Sequence, residues 1–325
     1  MRHVTGAAPT HRDLLDAAER VDAHIRRTPV FDLGEVGDGI GGDARIVLKL
    51  ELLQHTGSFK ARGALNTLLA LPVPAGGVVA ASGGNHGAAV AWAAARVGIP
   101  ARVFVPATSP PVKARRVASY GADVEIVPGY YPDALTASRE WAAGRDVAEV
   151  HAYDAPEVVA GQGTLGLELA DQVPEASTVL VSCGGGGLYA GVALALGDRC
   201  TVVPVEPAAC PTLATAVEAG APTETAVGGV AADSMGAALA GRIAHAVAAA
   251  RGVRPVLVPD EAILTARGYL WERFRILAEP GGATAFAALR SGAFTPAPGS
   301  TVVVVISGGN TLEIPAASTT ASTPA

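Results

Sequence analysis

An α/β architecture of parallel-rich sheets covered by helices, split between two domains, follows from three features of the sequence. From residue 78 onwards, short valine- and isoleucine-rich runs alternate with longer stretches of helical character. Several of those runs, such as 179–181 and 301–306, are apolar throughout, the pattern of strands buried on both faces. The chain has 325 residues, 50% of them hydrophobic, with few aromatics and much Ala, Val and Gly. That is enough for about two domains of ordinary size, with helices packed closely on buried strands.

Taken in order, Thr10 can cap a first helix with Leu14, Ala18, Val21 and Ile25 on one face, stopped by Thr28-Pro29. Residues 45–50 read as a strand. Ser58 can cap a helix to about Leu71, with Lys60 in its first turn, and the Pro- and Gly-rich stretch 72–77 breaks the chain. A strand at 78–80 leads to the loop Ser82-Gly83-Gly84-Asn85-His86-Gly87 and a helix over 88–97, closed by Gly98. A strand at 101–105 follows, then a helix opened by Ser109 and Pro110 as N-cap and first residue, a strand at 123–127 and a helix over 134–143. With no Ser/Gly linker around it, the block 75–150 reads as a small mobile domain inserted in a larger one built from 1–74 and 151–315. The larger one resumes with a helix over 156–172, a strand ending at Ser182, and four consecutive glycines before a helix over 188–196. Strands follow at 201–205, 254–258 and 301–306. Between them lie Ala/Gly-rich helices without clear bounds at 211–250, a helix that Asp260 can cap and that reaches Ile276, and another opened by Glu279-Pro280-Gly281-Gly282. Residues 316–325, rich in Ser, Thr, Ala and Pro, read as a disordered tail.

Composition excludes several classes. The net charge is −6 and there is no run of Lys or Arg, which argues against nucleic acid as partner. Cys183, Cys200 and Cys210 lack C-x-x-C spacing and read as reduced thiols of a cytoplasmic protein. The first residues carry no apolar signal segment, and no uninterrupted apolar run reaches the ~18 residues of a membrane span.

The chemistry centres on Gly184, Gly185, Gly186 and Gly187, between a strand and a helix. Bare backbone there lets N–H groups converge, and the helix start adds unpaired donors, so the loop suits a phosphate. Residues 185–190 also fit the dinucleotide pattern G-x-G-x-x-A, with Glu206 about 20 residues on as a ribose-binding acid. Against that stands Lys60 in Ser58-Phe59-Lys60, at a helix start whose dipole opposes its charge and helps to depress its pKa. A neutral amine is a nucleophile for aldehydes. Ser82, Gly84, Asn85 and His86, on a loop before a helix, are suited to grip a carboxylate through N–H groups. His86 either shapes that loop or moves protons, and Glu279 is either a supporting carboxylate or a helix N-terminal acid.

Ser58-Phe59-Lys60, Ser82-Gly83-Gly84-Asn85-His86-Gly87, Ala160-Gly161-Gln162-Gly163-Thr164, the four glycines, Glu279-Pro280-Gly281-Gly282-Ala283 and Ser307-Gly308-Gly309-Asn310 occur in this order. Together, over nearly the whole chain, they resemble the threonine/serine dehydratases, pyridoxal-phosphate enzymes of fold type II (tryptophan synthase β-like). The resemblance implies a two-domain fold of that type and a pyridoxal 5′-phosphate cofactor joined to Lys60. It implies that Gly184, Gly185, Gly186 and Gly187 hold the cofactor phosphate, Phe59 packs on the ring, Asn85 bonds the ring hydroxyl and Ser307 the ring nitrogen. The implied reaction is β-elimination from a small β-hydroxy amino acid such as L-threonine or L-serine, giving a 2-oxo acid and ammonia, by a homodimeric ammonia-lyase. A β-replacement synthase of the cysteine synthase kind and a serine racemase are the alternatives.

The chain departs from the pattern at three places. His151-Ala152-Tyr153-Asp154 stands where the family often has His-Pro-Phe-Asp, which bears on the substrate side chain. Glu206 matches a cation-binding glutamate of the racemases, with the carbonyl of Cys210, but Thr212 replaces their aspartate, leaving a divalent ion, a monovalent ion or none open. Gly83 stands where racemases carry a serine assigned to the face of the substrate opposite the lysine. No regulatory domain is expected after residue 310.

Overall fold

The computed structural model describes residues 7–34 and 39–315; the tail expected at 316–325 lies outside them. Its elements are α1 (His11–Val21), β1 (Val30–Asp32), β2 (Arg45–Leu50), α2 (Lys60–Ala70), β3 (Val78–Ala81), α3 (Asn85–Val97), β4 (Ala101–Pro106), α4 (Pro111–Ser119), β5 (Asp123–Val127), α5 (Tyr131–Ala142) and β6 (Ala148–Glu149). They continue with α6 (Pro156–Gln172), β7 (Thr178–Ser182), α7 (Gly187–Leu196), β8 (Thr201–Pro207), α8 (Thr212–Ala219), α9 (Ala232–Met235), α10 (Arg242–Arg251), β9 (Val256–Val258), α11 (Asp260–Phe274), α12 (Pro280–Arg290) and β10 (Thr301–Ile306).

Two sheets organise the chain. One runs β1-β2-β10-β7-β8-β9, parallel except for the β1–β2 pair. The other runs β5-β4-β3-β6, parallel throughout. The apolar runs fill both faces of the larger sheet. Val179, Val181, Val303 and Val305 pack with Tyr189 and Val192 on one side, while Leu180, Val302, Val304 and Ile306 pack with Phe286 and Leu270 on the other. Helix α2 packs between α6 and the smaller sheet's α3, and its Ala64, Leu65 and Leu68 share a cluster with Val78, Ala80 and Val90.

Several expected details shift. Ser58 does not cap α2. Its backbone is extended and bridges Gly308, its hydroxyl is buried without a partner, and Phe59 occupies the cap position. Helix α4 starts one residue late, with Pro110 as cap and Pro111 first. Asn85 and His86 lie in the first turn of α3, since Gly87 lets that turn pass so close to Ser82 that a Cβ would collide with its carbonyl.

A buried charge network holds the start of α2. Arg62 donates to both Glu51 oxygens at 2.8 Å and to Glu168 at 2.7 Å, and Lys49 Nζ lies 2.5 Å from the other Glu168 oxygen. Two cations face two carboxylates, so no net charge is buried.

Candidate active site

The carboxyl ends of β3, β7 and β10 point into one cleft between the sheets, the usual ligand position in parallel α/β folds. Ser82 follows the end of β3, the four glycines follow β7, and Ser307 follows β10. Lys60 is brought there by backbone pairing. Ser58 bridges Gly308, the Phe59 N–H donates to the Ser307 carbonyl at 3.1 Å, and the Gly309 N–H donates to the Gly57 carbonyl at 3.0 Å.

Phe59, Lys60, Asn85, Gly184, Gly185, Gly186, Gly187 and Ser307 line one cavity. The Lys60 Nζ donates to the Ala152 carbonyl at 2.7 Å and lies 5.2 Å from the centre of the Phe59 ring. Burial pushes Lys60 down to about 8. The sequence holds three lysines. Lys49 pairs with Glu168 and Lys113 with Asp233, whereas Lys60 faces no carboxylate among the described residues.

The glycine loop meets the requirements of a phosphate. The N–H groups of Gly184, Gly185, Gly186 and Gly187 donate to no backbone carbonyl among the described residues. Gly186 has φ +90°, and a Cβ on Gly185 would collide with the Tyr153 ring. Free N–H donors, an amine more easily deprotonated than a solvated lysine, an aromatic ring beside it and a hydroxyl at Ser307 fit a phosphorylated pyridine aldehyde. Asn85 is oriented by donating to Glu279 at 2.5 Å and accepting from Asn310 at 2.6 Å. Burial raises the pKa of the Glu279 carboxyl.

Other expected residues lie elsewhere. The Ser82 hydroxyl accepts from the Gly84 N–H at 3.1 Å and shapes the turn. Gly84 borders the wider outer cleft, which also meets Asn85 and Glu279. His86 is buried, bonds the Val150 carbonyl at 2.9 Å and is pushed down to about 3 by burial, so it is neutral and anchors α3. Glu206 is fully buried at the end of β8 and accepts the N–H groups of Leu213 at 2.7 Å and Ala214 at 2.8 Å. That removes it from the reach of a ribose and with it the dinucleotide reading. Burial raises Glu206 to about 7. Among the described residues no group of three or more His, Cys, Asp or Glu could hold a metal ion, and no helix is long and apolar enough to cross a membrane. Ser234 and Met235, on the short α9, also line the cavity. They escape the sequence because nothing marks them in an Ala/Gly-rich stretch.

The sequence pattern of a family described as pyridoxal-phosphate dependent enzyme matches residues 21–308. An L-threonine ammonia-lyase of Geobacter sulfurreducens is 36% identical over 300 residues, covering 91% of this chain and 74% of the relative. A phenylserine dehydratase of Ralstonia pickettii is 36% identical over 298 residues, 90% of each chain. Maize serine racemase superposes with a TM-score of 0.88 at 30% identity, covering 94% of each chain.

Proposed function

The chain belongs to the pyridoxal-phosphate-dependent enzymes, and from that premise we propose that it removes water from a β-hydroxy amino acid such as L-threonine or L-serine, releasing a 2-oxo acid and ammonia. Its fold is fold type II, and its cofactor is pyridoxal 5′-phosphate. The observation that carries the reading is Lys60: a half-buried amine, without a carboxylate partner among the described residues, lining one cavity with the glycine loop.

When bound, the cofactor supplies an aldehyde for amines and a ring that withdraws electrons from Cα. The N–H groups of Gly184, Gly185, Gly186 and Gly187 would hold its phosphate, Phe59 its ring face, Asn85 its hydroxyl and Ser307 its nitrogen. A serine hydroxyl cannot keep a pyridine nitrogen protonated as a carboxylate would, so a long-lived carbanion is disfavoured and expulsion of a β-substituent favoured. Lys60 Nζ, released on substrate entry and neutral in about half of the molecules near pH 8, takes the Cα proton. The N-terminus of α3 binds the substrate carboxylate through the N–H groups of Asn85 and His86, with Ser82 and Gly84 shaping the turn before them. Elimination needs only the Lys60 face. Racemisation needs a proton donor on the other, and Gly83 offers no side chain there.

The test is a panel of L-serine, L-threonine, phenylserine and 3-hydroxyaspartate with no added thiol. Release of 2-oxo acid from one of them is expected; turnover only with an added thiol nucleophile would move the assignment to β-replacement.

A further inference from the structure

Thr56 and Arg275 are the non-glycine residues with positive φ among the described ones, and Thr56 lies four positions before Lys60. Its φ of 59° and ψ of 10° put a β-branched residue in the left-handed region, which sequences normally reserve for glycine or asparagine. Gly57 follows at φ +70°, and the two form the turn that leads into the Ser58–Gly308 bridge and so to Lys60. The turn presents the Thr56 carbonyl to the cleft. Two donors meet it there: Asn310 Nδ2 at 2.8 Å and Arg116 Nη2 at 3.0 Å. Arg116 Nη1 also donates to Asn310 Oδ1, and Asn310 in turn donates to Asn85. Arg116 sits on α4, which packs on β5 and α3 in the four-stranded unit, while Thr56 and Asn310 belong to the large sheet's side. Its fork thus spans the cleft and closes on the one carbonyl that the left-handed turn turns outward.

We propose that Arg116 is a positioning residue for Lys60. By engaging the Thr56 carbonyl it holds the left-handed turn that seats the lysine, so the turn is fully ordered only when the four-stranded unit stands where α4 can reach across. The functional part of this rests on Lys60 being the lysine joined to the cofactor; the mechanical part does not. A carbonyl with two strong donors offsets the cost of a backbone conformation that a threonine otherwise leaves. Without Arg116 the turn keeps one donor, and Thr56 can relax towards an ordinary conformation.

The test is hydrogen exchange on the holoenzyme, read at the amides of residues 55–60, with kinetics alongside. In Arg116→Ala, exchange at 55–60 should rise on the order of tenfold while β7 and β10 stay at wild-type rates. The kcat should fall by a similar factor with KM changed less. Arg116→Lys should recover part of the loss, since one ammonium replaces a two-pronged fork. The decisive variant adds Thr56→Gly to Arg116→Ala. Glycine adopts the left-handed turn without strain, so protection and kcat should return to within roughly threefold of wild type. Unchanged exchange at 55–60 in Arg116→Ala overturns the proposal, as does a rise confined to α4 and β5, or a double variant no better than Arg116→Ala. Absence of 2-oxo acid from every β-hydroxy amino acid would count against the proposed reaction alone, because exchange reads the turn whatever the chemistry.

Discussion

Lys49, fully buried in β2, and Lys60, half-buried at the start of α2, lie close in the chain and differ in their partners. Lys49 meets Glu168 at 2.5 Å, the Thr28 carbonyl at 2.8 Å and Gln172 at 2.7 Å. Burial lowers its pKa, and Glu168 and Glu51 oppose that shift. Lys60 has a single carbonyl, that of Ala152, and nothing opposes its burial. A buried lysine with carboxylates ties elements together, here β2 to α6; one without them keeps a reactive amine. The network under α2 serves the second lysine as well, since Arg62 fixes the helix that starts at Lys60.

Substitutions should separate the two roles. Lys60→Ala should lower turnover by at least about a thousandfold while leaving the cofactor-free protein at least as stable as wild type below about pH 8, where the fold otherwise bears a buried charge. Lys49→Met should do the reverse. Removing one partner from a buried pair costs about 3–5 kcal/mol, so urea unfolding should show a lower midpoint while the remaining folded enzyme keeps most of its kcat. A Lys49→Met enzyme with native stability and no turnover would exchange the assignments.

The pH dependence sharpens the contrast. Burial takes Lys60 from 10.5 in the unfolded chain to about 8 in the fold. Between those values the unfolded chain binds more protons than the folded one, so this group makes stability rise with pH across that window. Below about 8 both forms carry the charge and its contribution is flat. Wild-type minus Lys60→Met unfolding free energies for cofactor-free protein should therefore climb from about pH 8 to 10.5; a flat difference would mean that Lys60 is solvated.

The smallest expected effect concerns the face opposite Lys60. A Cβ on Gly83 would collide with Ser109, whose own Cβ is 2.9 Å away, so the single change Gly83→Ser is crowded. Gly83→Ser with Ser109→Gly removes the Ser109 collision and leaves a tight contact with Val105 Cγ1 at 3.0 Å, and D-serine should appear beside pyruvate in deuterated buffer. Wild-type enzyme forming D-serine as fast as pyruvate would defeat the one-face account.

The fold class and the lysine–glycine–serine set could be read from the sequence because each rests on a local pattern: an apolar strand, a bare turn, a helix start. Both sheets follow the apolar runs, and β5, α6 and β10 have the bounds their patterns suggest. What could not be read depends on partners distant in the chain. Ser58 looks like a helix cap until its backbone is seen committed to Gly308. Arg116 looks like one more charge on an exposed helix until α4 crosses to Thr56. Glu206 looks like a ribose-binding acid until α8 turns its N–H groups onto it.

With three lysines in the sequence, the central claim comes down to which of them carries the cofactor. Reducing the holoenzyme with borohydride and mapping the labelled peptides answers that directly. The cofactor should be fixed on the peptide containing Lys60, with those of Lys49 and Lys113 unlabelled. Label on Lys49 or Lys113, or an active enzyme with no label, would contradict the account.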